Sequence, residues 1–201
     1  MNHTMQKDSI AQIWKLAWPV MVGQALHTVL VITDMWFIAR LGSVEAAAAG
    51  TGTSLLGVIQ VLPTLVSAGV VALVARYTGA GDQKHIREIA TTGLTLSLLI
   101  GLIMSIGSFL VLDQLIWIFG DADSSVLSMS KAYVSIGLIG IPFFFYNATS
   151  RSVVQATGDT RNPVIIFIIA NLINIALDYV FIFILNQGIE GAATATVIAE
   201  V

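Results

Sequence analysis

Long apolar stretches alternate with short polar connections along this chain. Near-continuous apolar runs occupy residues 13–39, 46–75, 89–112, 132–150 and 163–185, and a further small-residue apolar run, GAATATVIAEV, covers 191–201. An α-helix needs about 20 apolar residues to cross the hydrocarbon core of a bilayer. The pattern therefore predicts an all-α polytopic membrane bundle of five complete transmembrane helices and the start of a sixth. Pro63 and Pro142, each near the middle of a run, predict a kink in the second and fourth helices. In the third run Gly93, Ser97, Gly101 and Ser105 recur every fourth residue, which makes a small-residue ridge that another helix can approach closely. Residues 1–12 are polar and predict a cytoplasmic N-terminal segment, and within 113–131 the LIWIF stretch is expected to lie in the interface.

Composition agrees with the periodicity. Hydrophobic residues make up 56% of the 201-residue chain and charged ones 10%, and the mean hydropathy is +0.87. A soluble domain carries about 25% charged residues, so the bilayer is the implied solvent. The absence of cysteine excludes disulfides and thiolate metal sites. No signal-peptide pattern precedes the first run: Lys7 and Lys15 lead into an apolar stretch longer than a cleavable segment. Lys7, Lys15, Arg76, Lys84, Arg87, Arg151 and Arg161 all fall on one side of the predicted bundle. Arg40 and Lys131 fall on the other, with Glu45, Asp113, Asp121, Asp123 and Glu190. The positive-inside rule then predicts a cytoplasmic N-terminus, and the bacterial inner membrane is the expected location.

The polar residues inside the runs carry the candidate chemistry. Asn171, Asn174 and Asp178 lie within an arc of about 60° on the fifth helix, a polar stripe on an apolar rod. A carboxylate there costs roughly 2.5–3.5 kcal/mol on insertion scales and is expected to face protein or a wet cavity. Asp34 precedes Arg40 by six residues, Asp178 precedes Asn186 by eight, and Thr196 follows Glu190 by six. At 1.5 Å per residue, all three sit about 9–12 Å below the outer boundary, with Asn174 slightly deeper. Two carboxylates sharing a dry pocket resist simultaneous ionisation, so Asp34, Asn174, Asp178 and Thr196 form a candidate site for H⁺ or Na⁺. The competing reading makes each Asp a helix-packing hydrogen bonder. For His27, an interhelical packing role outweighs a proton-relay role, and Asn147 lies too near the cytoplasmic side to join the outer group.

Nothing points to an enzyme or to a cofactor. Gly79-Ala-Gly-Asp82 matches the short GxGD signature of intramembrane aspartyl proteases, but it sits in a basic loop with no Tyr-Asp pair on a preceding helix. A different set of segments is more specific. Trp18-Pro19, TDMWFIARLG, TGAGD, QATGDTRNP, NLINIALDYVFIF and GAATATVIAE, in this order and spacing, resemble the multidrug and toxic-compound extrusion (MATE) family across essentially the whole chain. The resemblance implies half of a twelve-helix fold, with 13–201 as the N-terminal transmembrane lobe and a missing C-terminal lobe as its partner. It also implies a secondary antiporter that exports cationic, amphipathic small molecules in exchange for H⁺ or Na⁺, with no nucleic-acid partner. The family's N-lobe cation site carries over to Asp34, Asn174, Asp178 and Thr196. The competing functions are a lipid-linked oligosaccharide flippase, disfavoured by the scarcity of intramembrane Lys and Arg, and a non-transporting membrane subunit.

Overall fold

The computed structural model describes residues 2–119 and 123–201; for residues 2–13, 15, 16 and 119 it describes the backbone alone. Asp121 and the side chains of Lys7 and Lys15 thus lie outside the described residues. The described chain forms helices α1 (Asn2–Ala39), α2 (Ser43–Gln60), α3 (Pro63–Ala80), α4 (Gln83–Leu110), α5 (Leu112–Phe119), α6 (Ser124–Ala156), α7 (Arg161–Tyr179) and α8 (Gly188–Glu200), with a π-helical turn (Val180–Ile184) closing α7. Five spans are long and apolar enough to cross a membrane: Ala17–Ala39, Ser43–Ala80, Gln83–Leu110, Ser124–Ala156 and Arg161–Ile184. The protein is a multi-pass helical membrane protein.

Helix α6 is the hub, packing against α2, α3, α4 and α8. Its Val134, Leu138, Ile141 and Phe145 interlock with Leu55, Leu56 and Ile59 of α2 and with Leu112 and Ile116 of α5. The short α5 anchors itself through those two buried residues and leaves Trp117 81% exposed, as an interfacial segment should. The ridge on α4 meets α3 and α6. A Cβ on Gly93 would lie 2.6 Å from Val70, and one on Gly101 would lie 2.8 Å from the Pro142 backbone. Between those glycines Ser97 shares a hydrogen bond with Thr149 (2.6 Å), which also contacts Ser67 of α3 at 3.3 Å. Large apolar side chains such as Leu65, Ile103, Leu110, Ile166 and Leu172 point outward, where lipid is the solvent.

Two expectations change in detail. α1 begins at Asn2, so the polar N-terminal residues continue the first helix; no Gly or Pro interrupts them before Pro19. Pro63 does more than kink its span: the α-helix stops at Gln60 and restarts with Pro63 as its first residue. That first position is where a missing N–H costs least. Pro142, by contrast, stays inside a continuous helix. It cannot donate to the carbonyl of Leu138, and Ser105 Oγ of α4 donates to that oxygen instead, at 2.6 Å.

The two glycine–aspartate loops are built alike. Gly81, with φ of 72°, ends α3 in a Schellman arrangement in which Gly81 N–H reaches Thr78 O and Asp82 N–H reaches Tyr77 O. Asp82 then caps α4, accepting from His85 N–H at 3.2 Å. Gly158, with φ of 92°, is followed by Asp159, whose Oδ1 accepts from Arg161 and Asn162 N–H, both at 3.1 Å. Backbone donation from His85 and Asn162 respectively holds both carboxyls below the usual carboxylate range. The GxGD match is therefore a stop-and-cap turn.

Candidate functional site

The buried residues of α7 are Pro163, Asn174 and Asp178, while Ile165, Ile166, Ile169, Leu172 and Ile173 are exposed. The helix is amphipathic in the inverted sense, with its amide and carboxylate turned inward because only protein can pair them there. α1 and α8 pack against that inward face. α8 comes close because its facing side is small: Ala192, Ala193 and Ala195 are buried, and a Cβ on Gly191 would lie 2.9 Å from the backbone of Phe181.

This close approach brings the four predicted residues together. The carboxyl groups of Asp34 and Asp178 lie within hydrogen-bonding reach of each other. With its amide oriented to suit both neighbours, Asn174 Nδ2 donates to Asp34 Oδ1 at 3.2 Å, and Asn174 Oδ1 accepts from the backbone N–H of Thr196 at 3.3 Å. Thr196 thus joins the group first through its main chain; its hydroxyl donates to Ala192 O within its own helix, at 3.1 Å. Asp178 is wholly buried and Asn174 is 2% exposed. Among the described residues, the buried side-chain atoms without a hydrogen-bond partner are Asp178 Oδ1 and Asn171 Nδ2, both on the polar stripe. The π-turn starts two residues beyond Asp178, where Leu185 N–H reaches back to Val180 O at 2.9 Å. Such turns are frequent at functional sites, since the extra residue re-aims the neighbouring side chains. The sequence pattern predicted plain α-helix there.

One participant escaped the sequence reading. Tyr133 of α6 sits within electrostatic range of both Asp34 and Asp178, its hydroxyl in reach of Thr53. Gly52 makes room for its ring: a Cβ there would lie 2.5 Å from Tyr133 Cδ1. A lone tyrosine near the outer end of an apolar run reads as an interfacial anchor, so only its length and its packing on Gly52 reveal the inward reach. His27 and Gln24 belong elsewhere. The His27 ring stacks on Phe167 with centroids 6.0 Å apart, and Gln24 lines a cavity of about 150 Å³ with Arg151 and Gln155. Asn147 donates to Glu200, outside the outer group.

Comparisons with known proteins place the chain in a family. The chain is 30% identical over 193 residues to the probable multidrug resistance protein NorM of Thermotoga maritima, covering 94% of this chain and 41% of that protein. A multidrug resistance MATE family transporter solved in an outward-facing conformation superposes with a TM-score of 0.88 at 26% identity, covering 94% of this chain and 42% of that one. A MOP superfamily transporter from Pyrococcus furiosus, whose binding pocket is described as reversed in polarity, gives 0.87 at 26% identity, with the same coverage of 94% and 42%. The chain thus spans less than half the length of these relatives. A profile of the MatE family matches residues 19–180, and on that match the chain belongs to the MatE family of membrane transporters.

Proposed function

We propose that this chain forms the ion-coupling lobe of a secondary antiporter that exports drugs and organic cations against inward H⁺ or Na⁺, and that Asp34, Asn174, Asp178 and Thr196 hold the ion. It is a transporter and not an enzyme, it needs no cofactor, and it sits in the bacterial inner membrane with its N-terminus in the cytoplasm. Because the chain spans 41–44% of relatives such as the NorM and YoeA proteins, a further lobe supplies the opposite wall of the pathway. One observation carries the reading: two carboxyl groups within hydrogen-bonding reach of each other, in a membrane-embedded site, with Asp178 Oδ1 buried and unpartnered.

Two carboxyls in that contact repel each other unless a shared proton or a bound cation lies between them, so the pair is built to take up H⁺ or Na⁺. When the site opens outward the pair takes up the ion; the neutralised pair draws α1, α7 and α8 together. When it opens inward the ion leaves and the pair repels. The ion drives the cycle only by binding one state more tightly than the other. Asn174, fixed to both Asp34 and Thr196, transmits the change in the pair to α1 and α8.

Asp178→Asn preserves size and much hydrogen-bonding capacity but removes the titrating group. In the intact protein this variant is expected at normal membrane levels with efflux under an imposed proton gradient lost. Asp34→Asn should match it, and the double variant should be little worse, since groups acting as one unit are not additive. Repeating the measurement under a sodium gradient identifies the ion. Near-normal efflux by Asp178→Asn under both gradients overturns the assignment.

A further inference from the structure

A third carboxyl group lies deeper in the lobe, away from the Asp34–Asp178 pair. Glu200 follows Glu190 by ten residues along α8, about 15 Å below the outer boundary and so near the middle of a core of about 30 Å. It is half-buried, and its Oε2 accepts from Asn147 Nδ2 at 3.3 Å; the same amide donates to the Glu200 carbonyl. An acid at that depth is expensive and marks an ion pathway by default. Thr196 and Glu200 are one turn apart on the same face of α8. A cavity of about 40 Å³ lies between α2, α6 and α8, with Gln60, Tyr133, Thr196 and Glu200 as the polar part of an otherwise apolar wall; Thr196 is the residue it shares with the outer group. That volume holds water where polar partners exist, and here they do, from Tyr133 next to the outer pair to Glu200 below it.

We propose that Glu200 is a second proton station of this lobe, linked to the Asp34–Asp178 pair through the cavity beside Tyr133 and Thr196. The inference rests on the outer pair taking up protons. The step is a proton transfer and nothing else. The carboxylic acid of the pair gives its proton to water in the cavity, and that water gives a proton to the Glu200 carboxylate. The pair is left ionised, Glu200 is left neutral, and no electron changes hands. The groups facing α8 set the context: Tyr133 and Arg151 from α6, Asp178 from α7 and Asp34 from α1, while the π-turn offers only apolar side chains. Arg151 acts electrostatically on both Glu200 and His27, which places a fixed positive charge on the cytoplasmic side of the station. Asn147 is a positioning residue: it fixes the carboxylate against α6.

The test compares Glu200→Gln and Asp178→Asn in the intact protein reconstituted in liposomes, using ethidium efflux under an imposed proton gradient, its pH profile, and equilibrium ethidium binding. Glu200→Gln is expected to slow driven efflux at least tenfold and to lose one transition from the pH profile, with ethidium binding within twofold of wild type. Glu200→Asp, which keeps the titrating group but draws it back by one methylene, should recover part of the rate; Glu200→Ala, which also removes the titrating group, decides the matter if Glu200→Gln does not reach the membrane. Wild-type rate and pH profile in Glu200→Gln, or in Glu200→Ala where that variant decides, overturn the second station; loss of efflux in Asp178→Asn beside them leaves the outer site standing. Normal efflux in Asp178→Asn removes the outer site and the relay together.

Discussion

The carbonyl of Leu138 shows how single residues hold this lobe together. Its helical donor is missing because position 142 is proline, and Ser105 from the neighbouring helix supplies the hydrogen bond at 2.6 Å. A buried acceptor left unpaired costs about 1–3 kcal/mol. Ser105→Ala should therefore lower the thermal unfolding temperature of the detergent-solubilised protein. In a Pro142→Ala background the same substitution should cost little, since the helix then satisfies Leu138 itself. Equal losses in both backgrounds, measured as a double-mutant cycle, would show that the Ser105 hydroxyl serves something else. Residues of the polar stripe obey the same accounting in reverse. Asn174 spends both ends of its amide on Asp34 and Thr196, whereas Asp178 keeps an oxygen unpaired. Inside a bilayer such an oxygen depends on protein or enclosed water for a partner, where an exposed carboxylate has bulk solvent.

Between helices, shape decides more than polarity, because lipid removes the hydrophobic incentive for two apolar helices to associate. α4 illustrates both sides of this. A Cβ on Gly101 would lie 2.8 Å from Pro142 Cα and 3.1 Å from Phe145 Cβ, whereas one on Gly107 would meet nothing within 4 Å. Gly101→Ala should destabilise the lobe by about 1–3 kcal/mol through overpacking. Gly107→Ala should be neutral or stabilise by up to about 1 kcal/mol through helix propensity. Thermal unfolding of the two variants side by side checks the pair, and equal behaviour would mean that the α4–α6 contact is not close-packed. The same logic makes the alanine and glycine face of α8 the feature that lets it approach α7. Larger side chains at Gly191 or Ala195 would hold Thr196 away from Asn174 and loosen the polar cluster without touching an ionisable group.

For the whole molecule, charge asymmetry across the bundle predicts orientation. Basic residues cluster at the Gly81 and Gly158 turns and acidic ones at the opposite end. Because the chain has no cysteine, single-cysteine variants report on topology directly: an impermeant thiol reagent applied to intact cells should label Ser124→Cys and spare Gln83→Cys, and the reverse pattern would invert the orientation. The apolar runs, by their length alone, determined that this is a multi-span helical protein, because the bilayer sets how long a span must be. The sequence also carried Asp34, Asn174, Asp178 and Thr196 to one depth, since depth follows from counting residues along a helix. Tertiary structure alone decided that α1, α7 and α8 are neighbours, that Thr196 meets Asn174 through its main chain, and that Tyr133 and Glu200 face a common cavity. Helical periodicity fixes which residues share a face and how deep they lie; it says nothing about which helix stands beside which. That choice is made by small residues fitting against particular neighbours, and it appears only when the helices are packed.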